Sequence, residues 1–195
     1  MKRLLLLAAL VLGLQGCALT DAELDVSHDP AKVNQGPISD SEPRVIMVAG
    51  LADAREDQAR IGYKKNGFGQ NTADITTQKP VTEIIQQALD HAIVSNGHTT
   101  GPGGIVVSGK VNQFWMDVDV NFTHIEIICN IETDLLFKDS TLDAVFYTNT
   151  YRGSYREKKQ VGTESNYQAV IEGAVNALLD DVVFDEDLAE ALRGH

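Results

Sequence analysis

Residues able to do chemistry are sparse in this chain, and their spacing argues against a reaction. His124-Ile125-Glu126 puts an imidazole and a carboxylate on one face of a strand, yet the paired downstream cysteines that complete a His-x-Glu zinc site are missing. Asp117 and Asp119 also share a strand face, well short of the six or so oxygens a calcium ion takes. Gly67-Phe68-Gly69 lacks the Lys-Ser/Thr of a phosphate loop and the strand-to-helix setting of a dinucleotide fingerprint, so it reads as a turn. Ser108-Gly109 and Gly153-Ser154 fall inside strand patterns rather than at a nucleophile elbow. Cys129 alternates with isoleucines; apolar neighbours disfavour the thiolate, so an inert core thiol is expected. The expectation is a protein that is not an enzyme, with no metal and no cofactor.

Charge is more informative. The chain carries a formal net charge of -12, which argues against a nucleic-acid partner. Locally the pattern reverses: Arg152, Arg156, Lys158 and Lys159 stand against Glu157, while residues 164 to 195 hold eight acids against Arg193. Arg152 and Arg156, with Arg55 and the neighbouring Tyr151 and Tyr155, are the candidate partner-binding residues for an anionic partner surface or envelope polymer. Alternation limits this site, because the arginines should face solvent and the tyrosines the core unless the strand end twists.

The elements that must position these residues follow from periodicity. Arg44 to Ala49 reads as a buried strand, and Lys65-Asn66-Gly67 as a hairpin turn. Pro80 opens a helix with Ile84, Ile85, Ala88, Leu89, Ala92 and Ile93 on one stripe, stopped by Asn96-Gly97. Ile105, Val107, Gly109 and Val111 alternate on one side of a strand, then Phe114, Met116 and Val118 take the other parity, predicting a bulge near Asn112 or Gln113. Ile125 to Phe137 and Val145 to Tyr155 alternate as two further long strands. A second helix begins near Glu164, and Asp185 caps a last short turn carrying Leu188 and Leu192. The expected fold is α+β: a two-layer sandwich whose mainly antiparallel sheet contains a long three-strand meander, with two helices packed on one face. With 43% hydrophobic residues and twelve aromatics, counting six Phe, five Tyr and one Trp, the chain has the composition of one folded domain.

The amino end carries an address. Lys2 and Arg3 precede an apolar run from Leu4 to Leu14, about 16 Å as a helix and half of a bilayer core, which reads as a signal peptide rather than a span. Leu14-Gln15-Gly16-Cys17 resembles a bacterial lipobox. That resemblance implies removal of residues 1–16 and acylation of Cys17, which would anchor the chain to a membrane without using protein surface. Ala18, in place of an aspartate, points to the periplasmic leaflet of the outer membrane. Residues 17–43 hold Asp21, Glu23, Asp25, Asp29, Asp40 and Glu42 against Lys32, with three prolines. They read as the lipidated terminus and an acidic flexible tether of roughly 25 to 30 Å, in which Leu24 to Ser27 could still form a short edge strand. Residues 44–195 are the expected single periplasmic domain.

Several short strings are similar to the YajG-type family of bacterial lipoproteins: Asp53-Ala54-Arg55 followed by Asp57-Gln58-Ala59, Asn96-Gly97 with Gly101-Pro102, and Tyr151-Arg152-Gly153-Ser154-Tyr155. The family has no settled activity. More distant fold analogy implies an auxiliary or assembly part of an envelope machine. The function expected is therefore a membrane-anchored, non-catalytic module that binds an envelope protein; the alternative is a periplasmic carrier of a lipid or other amphiphile, which would show a sizeable apolar cavity.

Overall fold

Strict alternation builds the centre of the molecule. In the computed structural model, which describes residues 19–194, β6 (Ile105–Val120), β7 (Ile125–Asp139) and β8 (Ala144–Lys159) pair antiparallel in succession. Along β7 every second position from Ile125 to Phe137 is buried, Thr133 among them, and the intervening ones, Ile128 and Leu136 included, are half-exposed. The register of β6 against β7 slips between Val111 and Gln113, which is the bulge that the change of parity in the sequence requires.

The other edge of β6 is shared. β2 (Val45–Asp53) pairs parallel with residues 105–111 of β6, and β3 (Gly62–Lys65) pairs parallel at Met116. β4 (Asn71–Thr77) closes a hairpin on β3, β1 (Ala22–Leu24) adds parallel to β4, and β5 (Thr99–Thr100) lies parallel to β2. The eight strands of the described residues form one open, mixed sheet: the pairing is antiparallel along β6–β7–β8 and β3–β4, which hold most of the paired residues, and parallel at β1–β4, β2–β5, β2–β6 and β3–β6. A helix between two strands is the reason: β2 and β6 flank α1 (Val81–Ser95), and such a crossover brings strands back parallel.

Among the described residues three α-helices complete the α+β fold. α1 buries the predicted stripe and stops at Asn96, with Gly97 at φ +86°. α2 (Glu164–Val183) is capped by the Thr163 hydroxyl, which accepts from the Asn166 amide at 3.3 Å, and buries Tyr167, Val170, Ile171, Ala174 and Leu178. α2 crosses β8 so closely that a Cβ on Gly153 would stand 2.1 Å from the Ala174 carbonyl oxygen. α3 (Glu186–Arg193) starts at Asp185, whose Oδ1 accepts from the Leu188 amide at 3.0 Å. It is a third helix beyond the two expected, built where the sequence predicts only a last short turn.

The segment expected to be a flexible tether is packed from about Asp21 onward. Ala22, Leu24, Val26 and Ile38 are buried in the core. Their polar neighbours are held as well: Lys32 pairs with Glu172 at 2.8 Å, Asn34 donates to Asp180 at 2.8 Å, and the Gly36 amide donates to Asn96 at 2.9 Å. His28 Nε2 lies 2.9 Å from Asn176 Oδ1, and its Nδ1 lies 3.1 Å from His91 Nδ1. Apolar residues too widely spaced to form a local pattern find non-local partners, and those contacts outweigh the composition.

Candidate functional site

α2 and α1 cover the face of the sheet that carries Phe114, Met116, Ile127, Leu135 and Tyr151. On the opposite face the register aligns rows of polar side chains: Gln113, Glu132 and Arg152; Trp115, Asn130 and Ser154; Asp117, Ile128 and Arg156. A groove of about 800 Å³ opens there, between residues 55–59 and Asn112–Trp115, with Glu132 on its floor.

The groove exists because β6 changes partner at its bulge. β2 runs alongside β6 as far as Asp53, the Ala54 amide still donates to the Val111 carbonyl at 2.9 Å, and pairing resumes when the Met116 amide donates to the Ile61 carbonyl at 2.6 Å. Residues 55–60 detour around the gap. Arg55 ties the detour down: Nε and a terminal nitrogen donate to the two Asp53 oxygens at 2.9 and 2.8 Å, while the carbonyls of Arg60 and Gln58 accept at 2.9 and 3.2 Å. The guanidinium also holds the Asp53 carboxyl below the usual carboxylate range.

Arg55, expected as a partner-binding residue, is therefore buried and fully engaged inside the chain. Arg152 and Arg156 do lie on the open face, at 66% and 63% side-chain exposure; Arg152 Nε donates to Glu132 at 2.8 Å, and Arg156 approaches Glu126 at 3.6 Å. Tyr151 and Tyr155 point to the helix side. The Tyr151 hydroxyl donates to Asp185 Oδ2 at 2.8 Å in the core, and the half-exposed Tyr155 ring lies over Gly173. A joint aromatic and basic site at these residues is not formed, since the strand keeps its alternation to its end. Cys17 lies outside the described residues.

The aromatic partners of the open face are different ones. Trp115 and Tyr63 meet edge to face at 5.8 Å, and Arg60 stacks over Tyr63 at 5.1 Å. Arg60 is aimed by Asp57 and Asp74 at 3.0 and 2.9 Å, and the indole N–H donates to Asp117 at 3.2 Å. Trp, Tyr and Arg in contact on a polar face make the composition of an interface anchor. The signal was present in the sequence: Trp115 sits on the outward parity with Asp117 and Asp119, opposite Phe114, Met116 and Val118.

The remaining candidates are occupied by structural partners. Asp119 faces Lys65 at 3.6 Å, His124 Nδ1 lies 3.0 Å from the Thr123 hydroxyl, and Cys129 is fully buried, its thiol pushed far above the ordinary range by desolvation. Among the described residues no cluster of three or more His, Cys, Asp or Glu could hold a metal ion, and no helix is long and apolar enough to cross a membrane.

A sheet with one helix-covered face and an open polar face defines the class by shape alone. Residues 38–193 match the model of a family described as uncharacterized lipoprotein, the YajG family, and the chain belongs to it. A protein of Xanthomonas campestris in the family model DUF330 shares the fold at 14% identity and TM-score 0.55, with 87% of this chain and 95% of that one covered. A minor lipoprotein of Acinetobacter baumannii aligns at 10% identity and TM-score 0.39 over 76% of this chain and 92% of that one. No curated protein matches the sequence.

Proposed function

We propose that this chain is a non-catalytic outer-membrane lipoprotein, held in the periplasmic leaflet by acyl chains on Cys17 after removal of residues 1–16, whose domain docks an envelope protein. The docking surface is the open face of a two-layer sandwich: the groove beside Trp115, with Tyr63, Arg60 and the Arg152 and Arg156 rows. The observation that carries this reading is the Trp115–Tyr63–Arg60 contact, at 5.8 and 5.1 Å, on the face without a helix cover. Aromatic and arginine side chains held in place lose little freedom on association, which is what an anchor needs. The arginines at 66% and 63% exposure keep donors for an acidic partner.

The carrier reading is less well supported. Between sheet and helices, the space lined by Ile46, Ala92, Val107, Leu135 and Leu188 is about 20 Å³, room for about one water, whereas ligand pockets run to roughly 300–1,000 Å³.

The test is photo-crosslinking in intact cells from a residue placed at Gln113. Expected is a discrete adduct that Trp115→Ala combined with Arg152→Glu and Arg156→Glu abolishes without loss of folding. An adduct that survives all three substitutions refutes the surface. Cys17→Ser should release the protein from membranes, and an unmodified mature Cys17 by mass spectrometry refutes the anchor.

A further inference from the structure

One end of the sheet gathers the most exposed large apolar side chains of the described residues, and the amino terminus leaves the domain beside them. β1 runs parallel to β4 with Ala22 opposite Ile75. Traced backwards from Ala22, the chain heads along β4 toward the β3–β4 turn: Asp21 accepts from the Asp74 amide at 2.8 Å, and the Thr20 carbonyl accepts from Lys64 Nζ at 2.9 Å. Leu19, next in line, is 66% exposed.

The turn it approaches carries Phe68, 92% exposed. Asn66 Oδ1 shapes this loop by accepting from the amides of Phe68 and Gln70 at 2.9 and 3.1 Å, and Gly69 at φ +76° supplies the left-handed residue. β3 lies parallel to β6, with Lys65 Nζ 3.6 Å from Asp119. Three residues beyond each partner stand Phe68 and Phe122, and Phe122 is 106% exposed at the β6–β7 turn. The Ile125–Lys159 pairing brings the end of β8 to the same place, with exposed Val161 two residues on.

The geometry points to this end of the sheet as a membrane-contact surface, with Phe68 and Phe122 dipping into the lipid interface beside the acylated Cys17. This inference rests on the anchoring proposed above. Two residues of chain separate Leu19 from Cys17, at most about 7 Å, so acyl chains on Cys17 would hold Leu19 and its neighbours at the bilayer surface. Exposed apolar groups gathered at one end of a domain mark an interaction site, and phenylalanines on turn tips can enter the interfacial zone where the turn backbone is hydrogen-bonded, as in Asn66 N–H to Gln70, Gly69 N–H to Asn66 and Asn121 N–H to His124. Three acids at this end are paired: Asp119 with Lys65, Glu157 with Lys159 at 2.6 Å and Glu126 with Arg156. Lysine stems can lie along the apolar zone while their ammonium groups stay wet.

A test uses the full-length acylated protein in vesicles of phosphatidylethanolamine and phosphatidylglycerol. Phe68→Cys, Phe122→Cys and Leu142→Cys are each labelled with a nitroxide; buried Cys129 and acylated Cys17 do not compete for the label. Leu142 is the control, as exposed as Leu19 at 66% but at the far end of β7. Expected is that labels at 68 and 122 lose collision with an aqueous nickel chelate and gain collision with oxygen on vesicle binding, while the label at 142 is unchanged. Labels at 68 and 122 that stay as accessible to nickel as the one at 142, on protein that floats with vesicles and is acylated by mass spectrometry, overturn the contact and leave the anchor standing. Protection from both probes that grows with protein concentration also overturns it, marking a second copy as the occupant. An unmodified Cys17 overturns anchor and contact together.

Discussion

Four hydrogen bonds converge on the Asp185 carboxylate, and removing it gives a sharp stability test. Its Oδ2 accepts from the hydroxyls of Tyr147 at 2.7 Å and Tyr151 at 2.8 Å and from the Asn149 amide at 3.0 Å, while Oδ1 caps α3 at the Leu188 amide. Burial alone would raise this carboxyl; the Leu188 amide, the two hydroxyls and the Asn149 amide outweigh burial and hold it below its ordinary range. The same carboxylate pushes the Tyr147 hydroxyl up to about 12, after desolvation. Asp185→Ala removes a cap, about 1 kcal/mol, and leaves the Tyr151 hydroxyl without its acceptor at 1% exposure, a further 1–3 kcal/mol or so. Bonds to half-exposed Tyr147 and exposed Asn149 are replaced largely by water. We expect a loss of about 2–4 kcal/mol for Asp185→Ala, measured by urea unfolding of the Cys17→Ser protein. Tyr151→Phe alone should cost about 1–1.5 kcal/mol, and the double variant should cost less than the sum by about 1 kcal/mol, because phenylalanine leaves no orphan donor. The carboxylate is the stabilising form, so its contribution is present above the ordinary carboxyl pKa and lost as pH falls below about 4. A cost near 1 kcal/mol with no coupling to Tyr151 would mean that Asp185 is only a cap.

Three further outcomes follow from the packing. Gly153→Ala should unfold or severely destabilise the domain, since the new Cβ meets backbone of α2 at 2.1 Å, whereas the nearest atoms to a Cβ in Gly173→Ala belong to the Tyr155 side chain, 41% exposed, so the loss should be milder by denaturant midpoint; equal effects would show that α2 can shift as a body. Burial lowers the pKa of His28 and of His98, assisted by the charges of His91 and Arg44 respectively. Neutral imidazoles are thus favoured in the folded chain, so stability should decline as pH falls below the ordinary histidine value of 6.5; His28→Gln and His98→Gln should flatten that decline in unfolding curves at pH 7.5 and 5.0, and an unchanged slope refutes it. Cys129 should resist aqueous thiol reagents in the folded protein and react at the rate set by unfolding; fast labelling of the native chain would contradict its burial.

How much of this was readable from sequence depends on where the information lay. β7 and both long helices announce themselves through local periodicity, and the bulge at Asn112 through a change of parity, because each is fixed by neighbours within a few positions. β1 could not be read so directly. Ala22, Leu24, Val26 and Ile38 are spread through an acidic, proline-containing stretch, and their burial depends on β4, more than 50 positions away, and on helices at the other end of the chain. Arg55 misled for the opposite reason: a charge in a polar string reads as exposed, although Asp53 and the carbonyls of Gln58 and Arg60 enclose it. Of the site, Arg152 and Arg156 were legible as the outward row of a strand. Tyr63 and Arg60 were not, because their meeting with Trp115 depends on the parallel register of β3 against β6.

Packing of residues 21–43 changes what an anchored domain could do. A free tether of that length would let the domain range over roughly 25 to 30 Å; with the segment folded back, four residues from Cys17 to Asp21 span at most about 14 Å. The proposed contact at Phe68 and Phe122 restricts the domain further, setting the long strands upright on the bilayer. Trp115 lies seven residues along β6 from Phe122, roughly 23 Å at strand rise, so the groove would open sideways, clear of the headgroups yet at a fixed height. A surface held so cannot search deep into the periplasm. Under the proposed docking role, a partner would have to bring a complementary face to that height, which would favour a protein seated in or anchored to the same membrane over one diffusing freely.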